Sequence, residues 1–396
     1  MSSLIRLLFA DKLEEDIREP MITLSVGGGT FGVLPPSHSL WIQMSALLVL
    51  QSVLCNALAV LVYYFVIKRR GTATAFLVGY GCIIPFVMVM PNMFVGYLEL
   101  KNACFMVCVA STPILLVFRC LEAMHGFSPA AVESQVTNYM IYYGSVIEFV
   151  FDDKTRHPVQ STTRESVTKA KRFLIFYFFL GILFSILLPT NFSPFAISRH
   201  GDLRRRLAHN FVMAYLTHVC IHVGTLGFGA AISLLAGIRT MDIANNPFFL
   251  SKSPSDFWGR RWNCLVHGAL KRGVYKPIRR LTSSAVAATA ATFVASGLLH
   301  EYVLWVITLN RDRDTEVQYG MHLAFFAYNA AVFVIELLIR DTKALECVRK
   351  SLHPTAVSLL VVSSVLPVAH WFTDEYVNTG FYKDYSVGFP TIIRIA

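Results

Sequence analysis

His300 is the residue most informative about chemistry, because it lies inside a long apolar stretch, ASGLLHEYVLW. Ionisable side chains in a membrane-crossing segment are costly, and as a rule they mark a functional site. Thr289, Thr292 and Ser296 precede His300 by 11, 8 and 4 residues, which puts all four on one face of a helix. We expect this face to line a wet cavity, where an imidazole can act as a general base. The alternative, a histidine that hydrogen-bonds a neighbouring helix, stays open on this helix alone.

Two further histidines, His218 and His222, stand four residues apart in LTHVCIHVG. This spacing suits two ligands of one metal ion or haem, but a di-iron membrane oxygenase needs several such pairs, so we interpret them as structural or cavity-lining. Glu301 lies about 100° around the helix from His300, so we predict that it contacts another helix. The other histidines in or beside apolar stretches stay unassigned: His125, His322 and His370.

No motif in the sequence indicates a metal or a bound cofactor. The eight cysteines include no CxxC pair, and a free cysteine in an apolar run usually acts as a small hydrophobic residue. Residues 27–32, GGGTFG, fit GxGxxG after the strand-like MITLSV. A dinucleotide site needs a helix next, whereas VLPPSHS follows. We therefore predict no metal site and no resident cofactor.

The composition indicates which elements position these residues. The chain is 55% hydrophobic and 15% charged, with a mean hydropathy of +0.53, whereas a soluble domain is about a quarter charged. We predict an all-α polytopic membrane protein with about eight transmembrane helices, the second of them kinked or broken by Pro85 and Pro91. Segment 139–151 is too short to span and is predicted to be interfacial or re-entrant. The predicted spans are 41–67, 72–97, 102–121, 172–191, 210–238, 285–309, 320–340 and 356–376.

The charges predict the orientation. Lys68, Arg69 and Arg70 place the end of the first span in the cytosol, so loops 122–171, 239–284 and 341–355 are cytosolic and loop 310–319 is not. Segment 192–209, with Arg199 and three further arginines at 204–206, falls on the opposite side. Either it is interfacial or the span count is wrong nearby.

Loop 239–284 carries nine basic residues against two acidic ones, a net charge of +7 out of +10 for the chain. A nucleic-acid partner would need a basic face on a soluble fold, so anionic lipids and anionic substrates are the expected partners. Between Asp256 and Arg280 the spacing predicts an amphipathic helix lying in the membrane surface. Its apolar face carries Trp258, Trp262, Leu265 and Ala269, and its opposite face carries Arg260, His267 and Lys271.

Two blocks of sequence resemble the wax-synthase branch of the membrane-bound O-acyltransferase family. The first is DFWGRRWN at residues 256–263, preceded by Asn246 and Pro247, and the second is SGLLHEY at residues 296–302. In that family an Asp-Phe-Trp block and a downstream intramembrane histidine occur in this order and at roughly this separation. The close resemblance covers the stretch 245–302, and the multi-span layout is similar only loosely.

The resemblance implies transfer of an acyl group from acyl-CoA to the hydroxyl of a lipophilic long-chain alcohol, forming a wax ester in the endoplasmic reticulum membrane. His300 would be the catalytic base, and Asn263 would hydrogen-bond either the thioester oxygen or the CoA arm. Asp256, Trp258 and Trp262 would support the loop, although interfacial anchoring also explains the tryptophans. The CoA phosphates would be held by the basic residues Arg260, Arg261, Lys271, Arg272 and Lys276.

Several alternatives stay open at this point. A sterol or diacylglycerol acyltransferase has the same architecture, and a proton-coupled transporter would use His300 with the pair His218 and His222 as a relay. We expect one membrane-embedded domain over 41–396, after a segment 1–40 at the cytosol or interface, on a side left open. Acyl-CoA is a co-substrate rather than a cofactor, membrane lipids are partners, and a homo-oligomer is possible.

Overall fold

A computed structural model describes residues 9, 18–195, 202–310, 316–343 and 351–395 of the chain. Two strands come first, β1 (Ile22–Val26) and β2 (Gly29–Leu34). The helices that follow are α1 (His38–Ile67), α2 (Ala73–Leu98), α3 (Ala103–His125), α4 (Ala130–Glu133), α5 (Val136–Tyr143), α6 (Thr163–Thr190), α7 (Leu203–Leu235), α8 (Pro247–Leu250), α9 (254–261), α10 (264–282), α11 (Ala285–Ile307), α12 (Met321–Ile339), α13 (Pro354–Val368), α14 (His370–Asn378) and α15 (Phe381–Ser386). Strand β3 (Thr391–Arg394) follows α15.

The described helices confirm a polytopic helical membrane protein. Seven of them, α1, α2, α3, α6, α7, α11 and α12, are long and apolar enough to cross a membrane. Helices α13 and α14 meet at an angle of 56°, and together they form either a bent eighth span or a re-entrant loop. Pro367 lies in the short 3-10 turn before this bend, and a proline cannot continue the backbone hydrogen bonding of a helix. Each predicted span therefore has a helical counterpart.

Helix α2 was predicted to be kinked or broken, and the structure excludes the break, because the helix runs from Ala73 to Leu98 as one element. A π-helical segment, Leu77–Ile83, comes just before Pro85, and Pro91 lies within the regular helix that follows. Single π-helical turns accommodate a disturbed hydrogen-bond ladder without ending the helix. The prolines thus produce a local irregularity instead of two half-helices.

A three-stranded antiparallel sheet was not part of the all-α prediction, although MITLSV had a strand-like pattern. The strands lie in the order β1-β2-β3. In the GxGxxG-like stretch, Gly27 and Gly28 form the β1–β2 turn at positive φ, and the remaining four residues begin β2. Strand β2 precedes the first span and β3 follows the last, yet Phe31 pairs with Arg394. Both strands therefore lie on one side of the membrane, which requires an even number of crossings and agrees with eight spans. The sheet also joins part of segment 1–40 to the end of the membrane domain.

Helix α7 explains the arginines that disagreed with the predicted orientation. It has 33 residues, which corresponds to about 50 Å, whereas the hydrocarbon core is about 30 Å thick. Arg204, Arg205 and Arg206 lie in its exposed first turn. These three arginines can extend beyond the membrane without an additional span. Arg199 and parts of loops 310–319 and 341–355 lie outside the described residues.

Segment 139–151 does not cross the membrane, as predicted. It contains the end of α5, and an isolated bridge then pairs Phe149 with Thr240. A second bridge pairs Gln160 with Ile238. The two loops predicted to be cytosolic, before α6 and after α7, are therefore hydrogen-bonded to each other. This contact fixes the start of the basic loop.

Candidate active site

The basic loop folds into two helices, α9 and α10, separated at Trp262 and Asn263. Leu265 and Ala269 are buried, while Arg260 and Lys271 are exposed. The predicted division into an apolar and a basic face is therefore confirmed, but the predicted single helix is interrupted. The interruption places Asn263 at a helix terminus.

Asn263 caps the first turn of α10. Its backbone is extended, and its side-chain Oδ1 accepts a hydrogen bond of 3.0 Å from the backbone N–H of Val266. Asparagine is a favoured capping residue because this bond satisfies a backbone donor that the helix leaves unpaired. The cap occupies the amide oxygen, and Nδ2 forms no hydrogen bond with any described residue. Asn263 therefore offers its Nδ2 donor to a ligand, while the cap takes one of the two lone pairs of Oδ1.

One cavity of about 410 Å³ brings Asn263 and His300 together. The predicted polar stripe on α11, formed by Thr289, Thr292 and Ser296, lines the same cavity. Aromatic and aliphatic side chains complete the wall, and basic residues lie at the end nearest the loop. These further lining residues include Trp258, Trp262, Phe326, Phe333, Leu337, Phe372, Lys271 and Arg340.

His300 is held between rings within this cavity. It stacks nearly parallel on Phe326, with 5.0 Å between ring centroids, and the edge contact with Phe372 measures 4.9 Å. Its Nδ1 lies 3.4 Å from the hydroxyl oxygen of Tyr376. Its Nε2 has no hydrogen-bond partner in the described part of the chain. The geometry thus fixes the plane of the imidazole and leaves one nitrogen for a ligand.

Two residues near His300 were not assigned a role from the sequence. His322 is fully buried, with its ring centroid 6.0 Å from that of His300, and its Nε2 lies 3.1 Å from the carbonyl oxygen of Phe372. Its position inside an apolar stretch was a signal for a functional neighbourhood. Tyr376 comes from α14, at the edge of the last predicted span, where nothing in the sequence distinguished it.

Glu301 contacts another helix, as predicted. Its Oε1 accepts a hydrogen bond of 3.0 Å from the backbone N–H of Leu323, in the first turn of α12. A carboxylate at this position satisfies an unpaired donor and interacts favourably with the helix dipole. Glu301 therefore positions α12 against α11 and does not contact the imidazole of His300.

Three of the five basic residues predicted to hold CoA phosphates are available to a ligand. Arg260, Lys271 and Lys276 are exposed, and none of them forms a salt bridge with a described residue. Arg260 and Lys271 line a cleft of about 680 Å³ that shares Ser255, Gly259 and His267 with the cavity of His300. Burial, together with the charges of Lys271 and Arg272, lowers the pKa of His267 to about 4, so this imidazole is neutral at pH 7.

The other two basic residues, Arg261 and Arg272, hold the loop in place. Arg261 Nε lies 2.6 Å from Asp256 Oδ2, and Arg272 Nε lies 2.7 Å from Oε2 of Glu122 on α3. Burial disfavours the charge of Arg272, but the neighbouring Tyr142 and Glu122 outweigh it and raise its pKa above the ordinary value. Both guanidinium groups thus pair with carboxylates of the protein, although Arg272 also lines the 680 Å³ cleft. Their binding of CoA phosphates stays a prediction.

The supporting residues of the DFWGRRWN block have defined contacts. Burial raises the pKa of Asp256, but the hydrogen bonds from Arg261 and from the backbone N–H of Lys252 lower it overall. Trp258 packs on Phe326, with 5.8 Å between ring centroids, and Trp262 packs on His218 at 5.4 Å. Both tryptophans form walls of cavities, which goes beyond an interfacial anchor.

His218 and His222 lie outside the cavity of His300. Their rings are parallel, with centroids 6.2 Å apart, and they line a separate cavity of about 750 Å³. Among the described residues no group of three histidine, cysteine or carboxylate side chains is placed to hold a metal ion. Both histidines line this cavity, and their interpretation as structural residues stays a prediction.

The fold and the site define a class: a multi-pass membrane protein in which a loop asparagine and an intramembrane histidine share one chamber. Residues 242–328 match the membrane-bound O-acyl transferase family, which confirms the resemblance given by the two sequence blocks. The match contains both Asn263 and His300.

Individual relatives are similar over part of their length. The chain is 26% identical over 190 residues to probable long-chain-alcohol O-fatty-acyltransferase 2 of Arabidopsis thaliana, covering 46% of this chain and 51% of that protein. It is 31% identical over 150 residues to long-chain-alcohol O-fatty-acyltransferase of Simmondsia chinensis, covering 35% and 40% respectively. It is also 33% identical over 119 residues to acyl-CoA–sterol O-acyltransferase 1 of Arabidopsis thaliana, covering 28% and 32%. The matches thus cover about half or less of these relatives.

Proposed function

We propose that the protein transfers a fatty acyl group from acyl-CoA to the hydroxyl of a long-chain alcohol and so forms a wax ester in the endoplasmic reticulum membrane. The observation that carries this proposal is the single cavity lined by Asn263 and His300. The basic cleft beside it supports the choice of donor, because acyl-CoA carries an anionic head. The names of the relatives support the choice of acceptor.

In this proposal each group of the site has a role. Arg260, Lys271 and Lys276 bind the CoA phosphates at the loop surface, while the acyl chain extends between the aromatic walls. Because Oδ1 of Asn263 caps α10, its Nδ2 donates a hydrogen bond to the thioester carbonyl oxygen. This donor stabilises the negative charge that develops on the oxygen during attack.

His300 supplies the proton transfer. With Nδ1–H donated to the hydroxyl oxygen of Tyr376, Nε2 is unprotonated and accepts the proton of the alcohol. The alcohol oxygen then attacks the thioester carbonyl, the carbon–sulfur bond breaks, and the CoA thiolate takes the proton back from the imidazolium. The products are the ester and free CoA thiol, with His300 returned to its starting state.

The acceptor depends on the shape of the chamber. A sterol is the second candidate, because one relative is named as a sterol acyltransferase. A proton relay through His300, His218 and His222 is disfavoured, since the pair and His300 line different cavities. One assay can test both the identity of the acceptor and the transporter alternative.

The test is ester synthesis by microsomes from labelled acyl-CoA, with fatty alcohol, sterol and diacylglycerol offered separately. His300→Ala is expected to lower the rate about 10²–10⁴-fold, and Asn263→Ala about 10²–10³-fold. His157→Ala, at an exposed loop position, is the matched control and should retain full activity. Activity that survives His300→Ala would remove the proposed base. No ester with any acceptor, from correctly inserted protein, would favour the transporter.

A further inference from the structure

The register of the sheet assembles one apolar face. Ile22 pairs with Val33, and Val33 pairs with Ile392, so these three side chains form a row across the sheet. Leu24 and Phe31 form the next row on the same face, because side chains alternate along a strand. Ile22, Leu24 and Ile392 are 54%, 55% and 46% exposed, which is unusual for a group of adjacent large apolar residues.

The opposite face is partly covered by the protein, is polar along β1, and leaves Ile395 half-exposed. A Cβ atom added to Gly32 would lie 2.9 Å from Pro20 and 2.6 Å from Ile395, so both of these residues pack over that face. Thr391 on the same face is fully buried. Thr23 and Ser25 are its exposed side chains on β1. Strand β1 therefore presents apolar side chains on one face and polar side chains on the other.

The apolar face continues into a surface that faces lipid. The backbone N–H of Ile392 donates a hydrogen bond of 2.8 Å to Ser185 Oγ on α6. Ile182 and Ile186, within one turn of Ser185, are exposed on this membrane-spanning helix. Ile392 thus extends the lipid-facing stripe of α6 onto the sheet.

The depth of the sheet is limited by its backbone. Strand β1 is an edge strand, and its unpaired N–H and C=O groups would be very costly in hydrocarbon. Strand β2 ends at Leu34, just before α1 begins at His38. The sheet is therefore held at the level of the lipid head groups, with its apolar side chains turned toward the acyl chains. Arg394, at the end of the Leu24 row, is placed to reach lipid phosphates.

We propose that this sheet lies on the bilayer and inserts the side chains of Ile22, Leu24 and Ile392 into the leaflet predicted to be non-cytosolic. The occupant of the apolar face is lipid. The sheet then links the first and last spans to each other and to the membrane surface. This inference concerns an interaction surface and is independent of acyl transfer.

Neighbouring positions on β1 provide the test. Two variants each carry one new cysteine: Leu24→Cys on the apolar face and Thr23→Cys, the matched control, on the opposite face. Both are made in the protein whose exposed Cys82 is replaced by serine. Each variant is labelled with an environment-sensitive fluorophore and reconstituted into phosphatidylcholine vesicles with or without spin-labelled lipid. The signal of the mock-labelled parent is subtracted.

The label at Leu24→Cys should emit at shorter wavelength and be quenched at least twofold more strongly by spin-labelled lipid than the label at Thr23→Cys. Iodide in the water should show the reverse order. Ile22→Cys should repeat the Leu24→Cys result, which guards against a local effect of one substitution. Equal lipid quenching at positions 23 and 24 would overturn the proposal. A label at position 24 shielded from both quenchers would also overturn it, because another protein surface would then cover the face.

Discussion

Replacing Arg272 by glutamine distinguishes a structural arginine from a phosphate ligand. The side chain of Glu122 is fully buried, and that of Arg272 is 16% exposed. Removing one partner of a buried ion pair costs about 3–5 kcal/mol, because the other charge remains buried. The hydroxyl of Tyr142 still donates a hydrogen bond to Glu122, so we expect the lower end of this range, about 3 kcal/mol.

The assay is thermal unfolding of purified protein in detergent, combined with initial rates at varied acyl-CoA concentration. Arg272→Gln is expected to lower the Tm by about 4 °C, with the KM for acyl-CoA unchanged in the protein that remains folded. The adjacent variant Lys271→Gln is the matched control. Lys271 is exposed, so its loss should raise the KM and leave the Tm unchanged.

A second substitution tests the cause of the instability. Glu122→Gln in the Arg272→Gln background removes the buried charge that has lost its partner, so more than half of the lost Tm should return. An unchanged Tm with a raised KM in Arg272→Gln would refute the structural assignment. It would instead restore Arg272 to the phosphate site.

Three further predictions concern single groups. Tyr376→Phe removes the oxygen beside Nδ1 of His300. The kcat should fall about 10-fold, as for the loss of one hydrogen bond, and the KM should be unchanged. An equal loss in kcat and in affinity, or no loss, would contradict the role of Tyr376 in orienting His300. The folded-state pKa of Asp256 is lowered, so the stabilisation by its carboxylate is present at neutral pH and is lost as the pH falls through that pKa. The Tm difference between wild type and Asp256→Asn should therefore shrink between pH 7 and the acid range. A constant Tm difference would exclude this stabilising role of the carboxylate. A Cβ at Gly181 would overlap the carbonyl oxygen of Pro390. Gly181→Ala should therefore lower the free energy of unfolding by about 1–3 kcal/mol and speed proteolysis of the chain after α15. Proteolysis at the wild-type rate would indicate that the backbone at Pro390 moves freely.

The parts of the site predicted from the sequence are those with a local pattern. The stripe that ends at His300 follows the period of a helix, and Asn263 belongs to a motif with fixed spacing. Their meeting in one cavity was implied only by the family resemblance. No spacing rule connects a residue of the loop with one that lies many residues later in α11.

The parts that were missed depend on tertiary pairing. Arg272 and Lys271 are adjacent basic residues in the sequence, and only the position of Glu122 on α3, 150 residues earlier, gives Arg272 a different partner. Tyr376 acquires its place from the bend between α13 and α14. The sheet was missed for the same reason, since one of its strands is a four-residue segment at the far end of the chain.

The pairing of β2 with β3 also sets an order of events during synthesis. Strand β2 is made before the first span, but Phe31 cannot meet Arg394 until the eighth span has crossed. Until then the inner edge of β2 presents unpaired backbone groups, which is the arrangement that invites pairing with other chains. The β1–β2 hairpin must therefore wait for β3, and its closure records that the intervening chain has crossed the membrane an even number of times. Truncation before Thr391 should leave a protein that inserts normally but associates through its open strand edge.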